Sequence, residues 1–331
     1  MQKAIIKTVL VTGANGFIGS RLCRLLAANG YTIRIICRES SDLSLLKEIP
    51  HSKFIADICR PESLPKAVTG VDYVIHLAGL IKAKSQADFY RVNQEGVTNL
   101  LNAVKNHNLG IKKFVLVSSV AASGPAEGTP RKESDLPQPI TTYGRSKLAG
   151  EIAAEAFVDL IPISVIRPPA VYGPGDRAIF TLFDLVNKGF KPYMGGGHNR
   201  VQMVYVDDLA MAIARVLEVE DRSGEVYFIA ESQAHTIREM LDIMAELLSK
   251  KAMGIPIPRP PLVVIAWLSE MFFRMIGRIP LFSREKVREL TANWELDVSK
   301  ARQHLGFETR MDFRTGAQLT IDWYRQEGWL K

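Results

Sequence analysis

Near its start the chain reads Thr12-Gly13-Ala14-Asn15-Gly16-Phe17-Ile18-Gly19. An apolar run of strand length (4–11) comes before this stretch, and a helical pattern (17–28) comes after it. Glycines at this spacing allow a tight turn, the approach of backbone N–H groups to phosphates, and close packing of the helix on the strand. The stretch therefore predicts a dinucleotide site, with the pyrophosphate at the positive end of the helix. The alternative is a glycine-rich turn without a ligand.

A second motif lies near mid-chain, where residues 143–147 read Tyr-Gly-Arg-Ser-Lys. Tyr143 and Lys147 are four residues apart, so on a helix they project from the same face. A tyrosine is a poor base at neutral pH because its usual pKa is about 10. A neighbouring ammonium and a nicotinamide cation would stabilise the phenolate, which could then exchange a proton with an alcohol or a carbonyl. Together the two motifs indicate nicotinamide redox chemistry; the alternative for the second is an exposed helix face.

Short apolar runs recur at 73–77, 114–118 and 163–167, and helical patterns separate them. This alternation predicts an α/β fold of the Rossmann type, a doubly wound parallel sheet that binds ligands at the carboxyl ends of its strands. A further strand (201–206) and helix (207–219) are expected to return to the sheet domain.

Prolines and a run of three glycines mark long loops after residue 167, so we divide the chain there. Residues 1–168 and about 201–233 are expected to form the dinucleotide-binding Rossmann domain. About 169–200 and 234–331 are expected to form a smaller, mostly helical substrate-binding lobe.

The composition is that of an ordinary globular enzyme: 331 residues, 47% hydrophobic and 23% charged. The net charge of +7 comes from scattered Lys and Arg, which favours anionic ligands and marks no nucleic-acid module. Cys23, Cys37 and Cys59 lack metal-ligand spacing and suit a reducing compartment. We predict a cytoplasmic protein that needs no metal and has neither a signal peptide nor a transmembrane segment.

The most apolar long segment is 261–282, which Glu270, Arg274 and Arg278 interrupt. Because these charges are four residues apart, they predict one polar helix face. A helix that covers the core or an oligomer surface is one interpretation. A lid over an apolar substrate, or a peripheral membrane contact, is the other. The face opposite to the charges would carry Trp267, Met271, Phe272 and Met275.

The choice of cofactor depends on the end of the second predicted strand (31–36), where Cys37-Arg38 stands in place of an acidic residue. An acid there would bind the adenosine ribose hydroxyls and repel a 2′-phosphate. Arg38 therefore favours NADP over NAD, although it could also be a solvated residue at a strand end.

Further segments extend these two motifs into a family pattern. The chain resembles the extended short-chain dehydrogenases/reductases, which include nucleotide-sugar epimerases, dehydratases, 3β-hydroxysteroid dehydrogenases and dihydroflavonol reductases. The resemblance covers nearly the whole chain. The matching segments are 12–19, Asp57, 76–79, 93–100, Ser118-Ser119, 143–147, 167–174, 205–210, 297–300, 305–307, 323–324 and 328–330.

The resemblance implies a catalytic set. Ser119 would hold the substrate oxygen near Tyr143 through its hydroxyl group, and Ser118 is the competing assignment. Lys147 would hold the ribose of the nicotinamide nucleotide. Asn93 would brace the active site.

The resemblance also implies a set of cofactor contacts. Asp57 would bind the adenine amino group, and Pro169 belongs to a loop that faces the nicotinamide carboxamide. The residues expected to contact the cofactor are Gly13, Asn15, Gly16, Phe17, Ile18, Gly19, Arg38, Asp57, Ile58, Leu77, Ala78, Gly79, Tyr143, Lys147 and Pro169.

Departures from the family pattern narrow the reaction. Val120-Ala121 replaces the Asp-Glu pair of the 4,6-dehydratases, which argues against dehydration. Arg200 resembles one of the two arginines that clamp a substrate diphosphate. The usual second arginine is missing, and Arg288 is only a loose substitute for it. Cys37-Arg38 resembles the NADP-preferring reductases, and 261–282 resembles the insert of the hydroxysteroid and flavonol branch.

We predict an NAD(P)-dependent oxidoreductase that interconverts an alcohol and a ketone, on an apolar, sterol-like or prenyl-like molecule. The alternative enzyme is a nucleotide-sugar epimerase or reductase that holds NAD tightly. A third hypothesis is a cofactor-binding sensor without catalysis, which would not need Ser119, Tyr143 and Lys147. A homodimer through the helices that follow Asp88 and Tyr143 is typical of the family and is expected here.

Overall fold

The computed structural model describes residues 7–275, 280 and 282–330. Its strands, in chain order, are β1 (Thr8–Thr12), β2 (Thr32–Cys37), β3 (His51–Ile55), β4 (Tyr73–His76), β5 (Lys113–Val117), β6 (Ile163–Arg167), β7 (Ala170–Tyr172), β8 (Phe190–Met194), β9 (Arg200–Val201), β10 (Met203–Tyr205), β11 (Glu225–Phe228), β12 (His235–Thr236) and β13 (Met253–Ile257). Its α-helices are α1 (Phe17–Ala28), α2 (Pro65–Val68), α3 (Gln86–Tyr90), α4 (Gly96–His107), α5 (Thr142–Glu155), α6 (Phe180–Asn187), α7 (Val206–Val216), α8 (Ile237–Leu247), α9 (Arg259–Met275), α10 (Arg284–Thr291), α11 (Ser299–Leu305) and α12 (Phe313–Gln326).

Seven strands form one wholly parallel sheet in the order β11-β6-β5-β4-β1-β2-β3. The chain winds outward from β1 to β3, returns to the other side of β1 as β4, and winds outward again. A doubly wound sheet binds its ligands in the crevice at this switch between β1 and β4. The predicted Rossmann-type fold is confirmed.

The side chains of the central strands alternate between two cores, as the period of two in a strand requires. Val9 and Val11 pack on one face of the sheet with α1 and α7, whereas Leu10 packs on the other face with α4 and α5. Val115 and Phe114 on β5 divide in the same way. Helices on both faces therefore leave the carboxyl edge of the sheet as the place where loops converge.

The predicted elements of the first half agree closely with the structure. The helix predicted at 17–28 is α1, and the strands predicted at 31–36, 73–77, 114–118 and 163–167 lie within one residue of β2, β4, β5 and β6. The first predicted strand (4–11) corresponds to β1, although residues 4–6 lie outside the described part of the chain.

The strand predicted at 201–206 is divided in two, and neither part pairs with the main sheet. β9 pairs with β12, and β10 pairs with β7. Gln202 lies between the two parts, is buried, and binds the Glu231 carbonyl and the Leu296 N–H group. β11 is the strand that extends the main sheet beside β6. The predicted helix does return to the sheet domain, as α7 beside α1.

A third core lies outside the main sheet, between α6, α8 and α12. Large aromatic side chains fill it, among them Tyr172, Phe183, Phe313 and Tyr324, each almost wholly buried. The boundaries of the two predicted domains remain predictions. Among the helices that the structure describes, none is long and apolar enough to span a membrane.

Candidate active site

The glycine turn after β1 is as tight as its sequence predicts. Gly13 has a φ of +69°, and a Cβ atom there would lie 2.8 Å from the backbone nitrogen of Ala78. A Cβ atom at Gly19 would lie only 2.2 Å from the Gly13 carbonyl oxygen. Only glycine fits these two positions, and the result is a close contact between α1, the turn and the loop after β4.

The amino terminus of α1 is free to receive an anion. Its N-cap residue, Gly16, has no side chain to accept a hydrogen bond, and its first turn holds no acidic residue. The first N–H groups of a helix have no partner within the helix, and the helix dipole adds positive potential there. These features fit a pyrophosphate. The N–H groups concerned are those of Phe17, Ile18 and Gly19.

A buried network holds the loop after β4 against β1. The Thr12 hydroxyl accepts the Ala78 N–H group at 3.1 Å and also forms a hydrogen bond with Nδ1 of His76, 2.7 Å away. Burial, with a smaller contribution from the positive charge of Lys147, lowers the pKa of His76 to about 3. His76 is therefore a neutral, packed residue at the strand end that fixes the loop.

Arg38 lies at the carboxyl end of β2, on the side of the turn where an adenosine would extend. The Ser41 hydroxyl accepts the Arg38 N–H group at 3.0 Å, and the Asn15 amide binds the Asp42 carbonyl at 3.1 Å. Asn15 thus ties the glycine turn to the loop that carries Arg38. The Arg38 side chain is exposed and has no ion-pair partner among the residues that the structure describes.

Asp57 and Ile58 follow β3, the edge strand of the sheet. One carboxylate oxygen of Asp57 accepts the Cys59 N–H group at 2.9 Å, so the turn fixes the direction of the side chain. Ile58 is buried, and a Cβ atom at Gly96 would lie 2.7 Å from its Cδ1 atom. Both residues are at the carboxyl edge of the sheet, where the sequence predicts the adenine contacts.

Two glycines set the position of α5, the helix that carries Tyr143 and Lys147. A Cβ atom at Gly144 would lie 2.2 Å from the Ala121 carbonyl, and one at Gly150 would lie 2.2 Å from the Asn93 carbonyl. The helix therefore touches the turn after β5 along one side and the segment before α4 along the other. The Gly-x5-Gly spacing on a predicted helix was the available signal for this close packing, and the motif analysis missed it.

The approach at Gly144 brings the two predicted hydroxyl groups together. Burial raises the pKa of Tyr143 to about 12, and a hydrogen bond with the Ser119 side chain lowers it in part. The Ser119 hydroxyl also accepts the Ala121 N–H group at 3.2 Å. The Ser118 hydroxyl is buried and has no hydrogen-bond partner among the described residues. Of the two serines, Ser119 is the one beside the phenol.

Lys147 lies one turn further along α5 and faces the loop after β4. Its Nζ atom donates to the Val117 carbonyl at 2.8 Å and would be 3.7 Å from a Cβ atom at Gly79. Burial lowers the pKa of Lys147 to about 8, and the Glu151 carboxylate opposes that change. Glu151 also forms a buried ion pair with Arg167, which anchors α5 to β6. The lysine is thus rigidly held next to the dinucleotide loop.

Asn93 connects the same two segments. Its amide oxygen accepts the Leu80 N–H group at 2.8 Å, and its amide nitrogen donates to the Leu80 carbonyl and to the Ser146 hydroxyl. Ser146 in turn donates to the Tyr143 carbonyl at 2.7 Å. Asn93 lies in a π-helical turn (Arg91–Glu95), a local irregularity that is frequent at functional sites. These contacts fit the bracing role predicted for it.

One part of the site has no local sequence signal. Glu285 on α10 accepts the Thr142 N–H group at 2.8 Å, the Thr142 hydroxyl at 3.1 Å, and a guanidinium N–H group of Arg145. Its carboxylate therefore caps the amino terminus of α5, directly before Tyr143. The negative charge of Glu289 on the same helix contributes to the raised pKa of Tyr143. Because 142 and 285 are far apart in sequence, only the fold reveals this contact.

Comparison with known proteins tests the family to which this arrangement points. The model of the NAD dependent epimerase/dehydratase family matches residues 9–230, from the glycine turn through the Ser119–Tyr143–Lys147 set to the end of the sheet. The chain belongs to this family. It is therefore an extended short-chain dehydrogenase/reductase, a group whose members are epimerases, reductases and dehydratases.

The relatives within the family differ in what they act on. The ceramide reductase of Caulobacter vibrioides is 29% identical over 97% of this chain and 96% of its own length. The UDP-glucose 4-epimerase of Vibrio cholerae is 26% identical over 97% of this chain and 96% of its own. The solved structure of MoeE5 in complex with UDP-glucuronic acid and NAD is 25% identical, with a TM-score of 0.76, and covers 97% of this chain and 99% of its own. Family membership thus leaves the reaction open.

The loop after β6, which the sequence predicts to face the nicotinamide carboxamide, packs against the turn that carries Ser119. The Pro168 carbonyl accepts the Val120 N–H group at 3.0 Å, and Pro169 is buried beside it. Further along, Arg21 of α1 donates to the Pro174 carbonyl at 3.1 Å. The loop therefore spans from the Ser119 turn to the dinucleotide helix.

Arg200, the predicted substrate arginine, is exposed but already has partners. Its guanidinium group binds Glu295 at 3.1 Å and the Ala234 carbonyl at 3.2 Å. Arg288 is exposed as well, on α10. Within the described ranges, no group of three or more His, Cys, Asp or Glu side chains is arranged to hold a metal ion.

Proposed function

We propose that this chain is an NAD(P)-dependent oxidoreductase that interconverts an alcohol and a ketone, with Tyr143 as the general acid and base. The contact of the Ser119 and Tyr143 hydroxyl groups, one helical turn from Lys147, is the observation that carries this proposal. The same helix is joined to the glycine turn through the loop from Ala78 to Gly79. Substrate oxygen, proton donor and dinucleotide would therefore meet at one place.

Each catalytic side chain has a physical reason to act as proposed. When bound, the nicotinamide supplies or accepts the hydride at the carbinol carbon. Ser119 would donate a hydrogen bond to the substrate oxygen and hold it near the phenol. Tyr143 carries its proton at neutral pH because its pKa is raised to about 12, which suits the donation of a proton to a carbonyl oxygen. In the reverse direction, positive charge from Lys147 would help the phenolate to accept the proton of the alcohol.

The pyrophosphate would bind the N–H groups at the start of α1, and Lys147 would hold the nicotinamide ribose. Asp57 and Ile58 would border the adenine, and Pro169 would border the carboxamide.

The exposed Arg38 supports NADP as the preferred form of the cofactor, since a guanidinium group binds a 2′-phosphate in bidentate fashion. We expect Arg38→Ser to weaken NADPH binding about tenfold and to leave NADH binding nearly unchanged, in a fluorescence titration. Equal losses for both nucleotides would contradict the NADP assignment.

An apolar substrate is the proposed class, with the ceramide reductase relative as a precedent for a lipid. The alternative, a nucleotide-sugar epimerase, has the Vibrio cholerae relative in its favour. Two observations argue against the epimerase: Arg200 is engaged by Glu295, and a second diphosphate-binding arginine is missing from the family position.

A homodimer through α4 and α5 is also part of the proposal, and the exposed Ile152 of α5 suits such a contact. A cytoplasmic location is part of the proposal as well.

The experiment that tests the proposal compares the wild type with Tyr143→Phe. We expect the variant to lose turnover by about 10²–10⁴-fold while it binds NADPH as before, because only the proton-transfer group is removed. The identity and amount of nucleotide released when the wild type is denatured distinguish the reductase from the epimerase. Near-stoichiometric NAD would indicate internal recycling and favour the epimerase, whereas an empty protein that binds NADPH would favour the reductase. Unchanged turnover in Tyr143→Phe would contradict the mechanism.

A further inference from the structure

The Arg200 guanidinium group is held in place from two sides. Its Nε atom donates to the Glu295 carboxylate at 3.1 Å, and a terminal nitrogen donates to the Ala234 carbonyl at 3.2 Å. The backbone of Arg200 is fixed as well. Its N–H group donates to the Asn293 side chain at 2.8 Å, and its carbonyl accepts the Trp294 N–H group at 2.7 Å. The guanidinium group therefore has a defined orientation, although the side chain is 48% exposed.

The backbone of Glu295 is fixed on both sides of the residue. Its own carbonyl accepts the Arg131 N–H group at 2.8 Å. The Trp294 carbonyl accepts the Gln202 N–H group at 3.1 Å, and the Leu296 N–H group donates to the Gln202 side chain. Arg131 and Gln202 are both buried. The Glu295 carboxylate can turn about its side-chain bonds, but its backbone cannot withdraw from the guanidinium group.

Helix α10 connects this ion pair to the candidate active site. At its start, Glu285 accepts the N–H group of Thr142, the residue before Tyr143. At its end, two carbonyls accept the side-chain amide of Asn199, the residue before Arg200, at 3.1 and 3.2 Å. A helix of eight residues is about 12 Å long. A substrate with its oxygen at Tyr143 that extends along α10 would therefore reach the ion pair.

The surroundings of the guanidinium group disfavour an anionic ligand. Besides Glu295, the carboxylate of Glu239 lies nearby: hydrogen bonds from Thr236 lower the pKa of Glu239, and the positive charge of Arg200 contributes to that shift. An arginine binds a phosphate through two parallel N–H groups. In Arg200, Nε and one terminal nitrogen already donate to protein acceptors. A diphosphate at this place would also meet the negative charge of Glu295, and such like-charge contacts exclude wrong ligands.

We propose that Glu295 is a specificity-determining residue, which occupies Arg200 and so excludes substrates that carry a diphosphate. The inference rests on the proposed function and deepens it, because it restricts the substrate to molecules without a diphosphate group. A partly exposed ion pair contributes little to the stability of a fold. Removal of the Glu295 charge should therefore change ligand selection and leave the folded structure intact.

The test is calorimetric titration of UDP, a small organic diphosphate, into the full chain. The cofactor site is first saturated with NADPH or NAD, whichever the chain binds, so that UDP cannot occupy it. We expect Glu295→Gln to bind UDP at least about tenfold more tightly than the wild type, because the repulsive charge is lost and the guanidinium group becomes available. Uridine, which lacks the phosphates, should bind both chains equally. Glu308→Gln, which removes an exposed carboxylate elsewhere, should bind UDP like the wild type.

Arg200→Met shows whether the gain in UDP affinity comes through Arg200. Alone, this substitution should leave UDP binding as it is in the wild type, because the guanidinium group is already occupied. Combined with Glu295→Gln, it should remove the gain. Retained cofactor binding shows that a variant is folded, and if Glu295→Gln were unfolded, Arg200→Met alone would still test the proposal. UDP binding requires no turnover, so failure of the Tyr143 mechanism would not change these results.

Three results would overturn the proposal. The first is a wild type that binds UDP as tightly as Glu295→Gln does and loses affinity in Arg200→Met, since Arg200 would then be available to a diphosphate. The second is equally weak UDP binding by the wild type and Glu295→Gln. The third is a gain that survives Arg200→Met, which would assign it to another cation such as Arg288. The first result would also favour the epimerase, whereas the other two would leave the proposed reaction unaffected.

Discussion

The glycine turn and the α9–α10 segment each contact an element of the candidate active site, but different physical constraints form them. In the turn, backbone conformation determines the structure: Gly13 and Gly19 are required because the Cβ atom of any other residue would lie within 3 Å of backbone atoms. In α9–α10, contacts between residues far apart in sequence determine the structure, such as the contact of Glu285 with Thr142. The first kind of constraint leaves a fixed spacing in the sequence. The second leaves none, because many side chains could form an equivalent contact.

Gly19→Ala, in the glycine turn, is the substitution for which we expect the largest loss of stability and of NADPH binding. Alanine usually stabilises a helix relative to glycine by up to about 1 kcal/mol. Here the new Cβ atom would be 2.2 Å from the Gly13 carbonyl and 2.7 Å from the Ala14 Cα atom, so the free energy of unfolding should fall by about 1–3 kcal/mol or more. NADPH binding should be lost as well. Urea unfolding and a nucleotide titration measure the two effects.

Gly110→Ala is the matched control for this variant. Its Cβ atom would meet nothing within 4 Å, and its φ is not in the left-handed region. We expect its stability and NADPH affinity to stay near those of the wild type. If Gly19→Ala behaved like Gly110→Ala, the close contact between turn and helix would not be what shapes the nucleotide site.

A smaller effect is expected on the other side of the cleft, at Glu285→Gln. The amide keeps an acceptor for the Thr142 N–H group but loses the negative charge at the start of α5 and the ion pair with Arg145. We expect kcat to fall about tenfold, which corresponds to about 1.4 kcal/mol, with KM for the nucleotide unchanged. Glu308→Gln, at an exposed site without a described partner, should have the activity of the wild type.

The pH profile of kcat separates positioning from a general loss of structure. Removal of a carboxylate near Tyr143 should move the alkaline limb of that profile to lower pH, whereas a merely structural defect would scale the whole profile down. A tenfold loss with an unmoved profile would assign Glu285 to structure alone.

The same difference between local and long-range constraints explains how much of the fold and of the candidate site could be predicted from the sequence. Five strands, α1 and the placement of Tyr143 and Lys147 on one helix were accessible from the sequence, because strand period, glycine spacing and the four-residue helical repeat are local rules. The choice of Ser119 over Ser118 came from the resemblance to the family and not from a local rule.

The strand predicted at 201–206 is divided into β9 and β10, outside the main sheet, where a buried amide, Gln202, interrupts it and binds two distant backbone groups. For α9 the sequence left open which face meets the protein, because periodicity divides a helix into two faces without saying which one packs. The face of Trp267, Met271, Phe272 and Met275 is exposed. Arg278 lies outside the described residues.

The smallest effect concerns the junction of the main sheet and the C-terminal helices, where Glu231 follows β11 and accepts the Phe313 N–H group at the start of α12. Burial raises the pKa of this carboxyl group to about 7, above its ordinary value near 4.5. The folded chain therefore holds a proton that the unfolded chain has lost, and the stability contributed by Glu231 is full below about pH 4.5 and falls as pH rises through 7. Glu231→Gln keeps the acceptor and cannot ionise, so relative to the wild type it should gain stability between pH 5 and pH 8, with the gain largest at the upper end. Urea unfolding at the two pH values measures this, and Glu308→Gln provides the control. If the difference in unfolding free energy between the wild type and Glu231→Gln did not change with pH, Glu231 would ionise normally. The junction between the sheet and the C-terminal helices would then be more hydrated than its packing indicates.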